Sequence, residues 1–93
     1  MDMAEAVGLA VRRVRKQRGT SQEELAWQAD LHRTYISGVE RGVRNPSLAS
    51  LETIAEALEV RLSRLMTIAE QIQSGRIKVS TARQERRPSR SQA

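Results

Sequence analysis

The sequence predicts an all-α fold, a compact five-helix domain followed by a basic tail. Three observations carry that reading. Apolar residues recur at helical spacing in five segments, with no sustained period-two alternation and no Asn-Gly or Asp-Gly hairpin signal. Residues that start helices (Asp2, Ser21, Ser47) stand just ahead of such segments, and glycines (Gly19, Gly42, Gly75) stand at or near their ends. Beyond Gly75 the chain reads RIKVSTARQERRPSRSQA, poor in apolar side chains and rich in arginine. A segment of that composition cannot bury enough surface to order itself when free, so 76–93 is expected to be a disordered tail and 1–75 the folded domain.

The first helix is expected over 3–18. Asp2 can cap it, Val7, Leu9, Ala10, Val11 and Val14 supply an apolar face, and Gly19 ends it. The second is expected over 22–29. Ser21 and Glu24 have the spacing of a capping box, in which hydroxyl and carboxylate each satisfy an otherwise orphan backbone N–H. Leu25, Ala26 and Ala29 face inward. A turn at 30–32 leads to a third helix over 33–41, and Gly42 lets the chain reverse. Asn45-Pro46 keeps the next segment extended, because proline disfavours helix at the residue before it. Ser47 caps a fourth helix over 48–58, with Leu48, Leu51, Ile54, Ala55 and Leu58 at helical spacing. Val60 leads into a fifth over 62–74, striped by Leu62, Leu65, Met66, Ala69 and Ile72 and stopped by Gly75.

Ninety-three residues make one small domain. A core of this size is modest, so association of two copies is a plausible source of further stability. The chain has no cysteine and one histidine. That removes disulfides, thiolate metal sites and thiol nucleophiles, and no metal or cofactor is expected. There is no glycine-rich phosphate loop and no acid pair set by a motif, so no catalytic residues are assigned and no enzyme is expected. No apolar run is long enough to span a membrane, and the N-terminus lacks a basic-then-apolar leader pattern. These features fit a cytoplasmic protein.

The net charge is +5, and its placement matters more than its size. Residues 1–75 hold ten Lys/Arg and ten Asp/Glu, whereas the tail holds Arg76, Lys78, Arg83, Arg86, Arg87 and Arg90 against Glu85. Within the neutral body the cations cluster at 12–18 and 33–44. Clustered cations suit either a solvated surface or a polyanion partner. The only aromatic residues are Trp27 and Tyr35. Single-stranded nucleic acid is usually held on aromatic stacking platforms, so their scarcity favours a double-stranded partner.

Residues 21–47, SQEELAWQADLHRTYISGVERGVRNPS, read as two short helices at a sharp turn. Ala26 sits where the two helices meet, and only a small side chain lets them approach. Leu31, Ile36 and Val39 are apolar plugs on the inner side. Arg33, Thr34, Ser37 and Gly38 fall on the outer face of the third helix, free to meet base edges. The run TYISGVERGVRNPSL makes the pattern specific. Over about residues 8–66 the chain resembles the lambda-repressor/Cro-like (Xre-type) helix-turn-helix family. The resemblance implies a double-stranded-DNA-binding transcriptional regulator that places the third helix in the major groove. One departure is Asp30, where the family often has glycine in the turn; aspartate tolerates the left-handed region better than most residues, so a small strain is expected.

Each candidate residue has a chemical reason. Arg33, at the start of the recognition helix, can donate two hydrogen bonds to guanine O6 and N7, or hold a phosphate. Thr34 suits a thymine methyl or a phosphate, and Ser37 a base or a phosphate. Gly38 leaves room for close approach. The resemblance gives Gln22, at a helix N-terminus, a phosphate bond, in a place that favours anions anyway. Tyr35 either lies along the sugar-phosphate backbone or is a partly buried ring without a DNA role. His32, Arg41, Arg44 and Asn45 are candidate backbone contacts, which position a protein while base contacts specify the sequence. The resemblance also pairs Arg15 with Glu40 as an ion pair between the first and third helices. Trp27 is expected to face outward in surface packing.

The family binds pseudo-palindromes as two-fold dimers, with half-sites about one helical turn (~34 Å) apart. The expected dimer surface is Leu62, Leu65, Met66, Ile68, Ala69 and Ile72, with Ile68 read as apolar outside the core stripe; the alternative is that this stripe is intramolecular core. The chain is too short for a separate sensor domain. It is therefore expected to act by concentration, by dimerisation, or with a partner protein such as RNA polymerase or a toxin. LHRTYISGVERGVRNPSL is similar to restriction–modification controller proteins and also to short phage and mobile-element repressors, all autoregulatory. The alternatives are an antitoxin that binds a toxin and represses its own promoter, or a non-specific nucleoid protein that uses the tail.

Overall fold

The computed structural model describes residues 1–79 and builds them from five helices: α1 (Met3–Gln17), α2 (Gln22–Ala29), α3 (Arg33–Glu40), α4 (Leu48–Ala57) and α5 (Leu62–Gln73). Four of them end one residue earlier than the sequence suggests, because Arg18, Arg41, Leu58 and Ser74 serve as C-caps.

Local chemistry starts three of the helices. At α1 the Asp2 carboxylate accepts from the Glu5 N–H at 2.8 Å, and Glu5 Oε1 accepts from the Asp2 N–H at 3.0 Å. At α2 the Ser21 hydroxyl accepts from the Glu24 N–H at 3.0 Å, and Glu24 Oε1 accepts from the Ser21 N–H at 2.8 Å. Both are complete capping boxes, each satisfying two orphan donors. Ser47 caps α4 by accepting from the Ser50 N–H at 3.0 Å. Helices α3 and α5 have no side-chain cap. They are held instead by their buried faces, as short helices in water must be.

Helix α1 runs through the middle of the domain and packs on α5 and α3, while α2 lies against α3 and α4. Ala6, Val7, Leu9, Ala10, Val11 and Val14 of α1 join Leu25 and Ala26, Ile36 and Val39, and Ile54, Ala55 and Leu58 in one buried cluster. Gly8 sets the α1–α3 distance. A Cβ on Gly8 would stand 2.1 Å from the Val39 carbonyl oxygen, so any side chain would force the two backbones apart.

The structure corrects the sequence reading at three places. Ile68 does not stand outside the core stripe; it is 5 % exposed and belongs to the central cluster with Leu65, Ala69 and Ile72. The contact of α5 with α1 covers that whole face, so these four residues are interior of the single chain. Leu48 is 73 % exposed and contributes nothing to the α4 core face, which begins at Leu51. The domain also does not stop at Gly75. The N–H groups of Arg76 and Ile77 donate to the Gln71 carbonyl at 2.8 and 3.1 Å, closing the end of α5. Ile77 and Val79 then pack on the core. Residues 80–93, including Arg83, Arg86, Arg87 and Arg90 of the expected tail, lie outside the described residues.

Candidate nucleic-acid interface

The interface is built on the α2–α3 pair. Asp30 ends α2 in the left-handed conformation (φ 57°, ψ 45°), and that single residue turns the chain toward α3. Its N–H donates to the Trp27 carbonyl at 3.2 Å, and the Leu31 N–H to the Ala26 carbonyl at 2.9 Å. These bonds satisfy the last carbonyls of α2 and pin the turn. His32 is the N-cap of α3 through its carbonyl, which accepts from the N–H groups of Tyr35 and Ile36 at 3.0 and 3.1 Å. Its imidazole makes no capping bond and is exposed.

Helix α3 divides cleanly. Ile36 and Val39 are fully buried, while Arg33 and Thr34 are exposed and Ser37 is half-buried. Arg33, Ser37 and Arg41 are spaced by four residues and so form one row on the open side. Arg41 is tied into that row. Its Nε donates to the Ser37 carbonyl and to the Ser37 hydroxyl, both at 3.3 Å.

Under the C-terminal end of α3 lies a buried ionic hub. Arg15 Nε meets Glu40 Oε2 at 2.6 Å and Arg15 Nη2 meets Glu40 Oε1 at 2.9 Å, a two-pronged pair between α1 and α3. Arg15 Nη1 also donates to the Thr20 carbonyl at 2.9 Å. The Gln22 amide donates to Glu40 Oε1 at 3.0 Å, bringing the N-terminus of α2 into the same cluster. Both charged residues are less than a tenth exposed, 8 % for Arg15 and 6 % for Glu40. Among the described residues no buried side-chain nitrogen or oxygen lacks a partner. Glu40 thus neutralises one arginine internally and leaves Arg33, Arg41 and Arg44 as the cations of the exposed side.

Gly38 does not sit on the open face. It is buried, and a Cβ there would lie 2.5 Å from Cγ of Arg44. The loop after α3 folds back over it, with the N–H groups of Val43 and Arg44 donating to the Gly38 carbonyl at 3.0 and 3.1 Å. The absent side chain makes room for Arg44. Laid across Gly38, the Arg44 guanidinium reaches the half-buried Tyr35 ring, 5.7 Å from its centroid. Arg44 and Tyr35 are therefore one unit, a pairing that the linear sequence does not signal. Asn45 is exposed in the same loop.

Trp27 faces outward but packs on nothing of note, being 84 % exposed. Of the apolar residues on α5, only Leu62 and Met66 keep half-buried surface. Among the described residues no group of His, Cys, Asp and Glu could hold a metal ion. None of the described helices is long and apolar enough to cross a membrane.

Comparison with known proteins gives a consistent picture. The chain matches the helix-turn-helix family model over residues 11–65. It is 53 % identical over 55 residues to control protein C.BamHI of Bacillus amyloliquefaciens, covering 58 % of this chain and 68 % of that one. It is 40 % identical over 60 residues to an immunity repressor protein of Bacillus phage phi105, covering 64 % of this chain but only 42 % of the repressor. Among solved structures, the restriction-modification controller protein C.AhdI from Aeromonas hydrophila superposes with a TM-score of 0.66 at 40 % identity, covering 67 % of this chain and 94 % of that chain.

Proposed function

The chain belongs to the helix-turn-helix family of DNA-binding transcriptional regulators, and from that premise we propose that it binds a pseudo-palindromic operator as a homodimer, with α3 in the major groove. One observation carries this reading: Arg33 and Thr34 are exposed and Ser37 half-buried on one side of α3 while Ile36 and Val39 are buried on the other. Arg33 reads guanine through paired donors, and Thr34 and Ser37 contact neighbouring base edges. Gln22, His32, Tyr35, Arg41, Arg44 and Asn45 hold the sugar-phosphate backbone and set the register. The domain has no catalytic role and works in the cytoplasm at the nucleoid. Similarity to control proteins of restriction–modification systems supports an autoregulatory controller. Leu62 and Met66 supply the apolar surface left for a second copy.

The test is selection of bound sequences from random duplex DNA, with the wild type and Arg33→Ala in parallel. A two-fold symmetric site is expected, with guanine preference lost at one position per half-site in the variant. Binding of all duplexes alike would refute sequence-specific regulation.

A further inference from the structure

The hydroxyl of Ser37 accepts a hydrogen bond from a charged side chain one turn ahead. Hydroxyl side chains in helices commonly return their proton to the carbonyl one turn back. Thr53 and Thr67 do so here, donating to the Ala49 and Ser63 carbonyls at 3.0 and 2.9 Å. Ser37 makes no such bond to Arg33 among the described residues. Its oxygen instead accepts from Arg41 Nε at 3.3 Å, and the same Nε is anchored on the Ser37 carbonyl. A serine hydroxyl has one proton and two lone pairs. Arg41 occupies a lone pair and puts a positive charge beside the oxygen. The proton and one lone pair remain uncommitted, and the positive charge beside the oxygen favours contacts in which the hydroxyl donates.

We propose that Arg41 biases Ser37 toward donating, so that it selects a base-edge acceptor and excludes cytosine at its position. This rests on the placement of α3 in the major groove. There guanine offers O6 and N7 and thymine offers O4, all acceptors, while cytosine offers only its amino donor. A serine free of Arg41 could turn and accept from an amino group. With the guanidinium alongside, the partial positive charge of an incoming amino hydrogen is repelled and an acceptor is preferred. Ser37 is the reading residue and Arg41 its positioning residue, separate from any phosphate that the remaining Arg41 N–H groups hold.

The experiment is the same duplex selection with Ser37→Ala, Ser37→Thr and Arg41→Ala added, and melting curves to show that each variant is folded. The wild type is expected to exclude cytosine at one position per half-site. Ser37→Ala should accept all four bases there, with affinity for the best site falling roughly threefold to tenfold, the worth of one hydrogen bond. Ser37→Thr should keep the exclusion. Arg41→Ala should relax that same position and admit cytosine, an effect that loss of a phosphate contact alone would not produce. Uniform weakening by Arg41→Ala with an unchanged base profile would overturn the proposal, as would relaxation at a different position. A wild type that enriches a site tolerating cytosine throughout would overturn it too, while leaving the regulator reading intact. No enriched site at all would overturn both.

Discussion

Glu40 receives three hydrogen bonds, two from Arg15 and one from Gln22, and it lies at the end of α3, the helix proposed to enter DNA. Removing its carboxylate leaves a guanidinium that is 8 % exposed with only the Thr20 carbonyl as partner. Breaking a buried pair from one side costs about 3–5 kcal/mol, because an uncompensated charge stays inside. Glu40→Ala is therefore expected to lower the unfolding free energy measured in urea by that much and to weaken DNA binding without touching DNA. Replacing Arg15 and Glu40 together by apolar residues of similar size should recover most of the stability but not all of the affinity, since Gln22 loses its anchor. Equal melting of Glu40→Ala and wild type would remove the hub from the account of the fold. The pair itself is recognisable in sequence only through family resemblance, because twenty-five residues separate its members. Gln22 joining it, and Arg44 lying across Gly38 onto Tyr35, depend on where loops return, which no local pattern encodes.

At the level of helices, what was legible is what is local. Asp2 with Glu5, Ser21 with Glu24, and Ser47 are caps whose partners lie within one turn, and the helix starts follow from them. Asp30 was legible through the family resemblance, which puts a left-handed residue in this turn, and it has φ 57°. Asp30→Gly should relieve that strain and stabilise the domain by up to about 1 kcal/mol, less the entropy glycine adds to the unfolded chain. What stayed hidden is how the helices cross. Gly8 in α1 looks like a mild defect in a helix, yet its missing Cβ is what lets α1 meet the Val39 carbonyl. Alanine is ordinarily the better helix former, so propensity alone expects Gly8→Ala to stabilise. The packing argument gives the opposite sign. The obstacle is backbone and cannot swing aside, so a loss of about 3 kcal/mol or more is expected on chemical denaturation. A neutral or stabilising result would mean that the α1–α3 spacing is softer than it looks. Ile68 failed to be read for the same reason: a stripe at helical spacing says that a face is apolar, not which neighbour covers it.

For the whole molecule, the question is where the domain ends and where its attraction to DNA comes from. Composition puts the boundary at Gly75, because a stop residue is followed by a run of arginines. Burial puts it later, since Ile77 and Val79 rest on the core and the Arg76 and Ile77 amides close α5. Two isolated apolar residues among cations carry no periodicity, so their docking could not be read in advance. Chains ending at Gly75 and at Val79 separate the two boundaries. Partial burial of two aliphatic side chains is worth about 1–2 kcal/mol, so 1–75 should melt lower by that amount while 1–79 melts like the full chain. The charge divides at nearly the same place. Residues 1–75 balance ten cations against ten acids, so a body without net charge presents DNA with a local row of arginines and little long-range pull. Arg83, Arg86, Arg87 and Arg90 against Glu85 supply most of the excess. Long-range steering follows net charge, and each phosphate neutralised steepens the fall of affinity with salt. Comparing the full chain with 1–79 on one operator should therefore show slower association and a shallower salt slope in the shorter protein, with base preferences unchanged because the row on α3 proposed to read bases is intact. Identical slopes would assign the terminal arginines no part in binding and leave the whole electrostatic contribution to Arg33, Arg41 and Arg44.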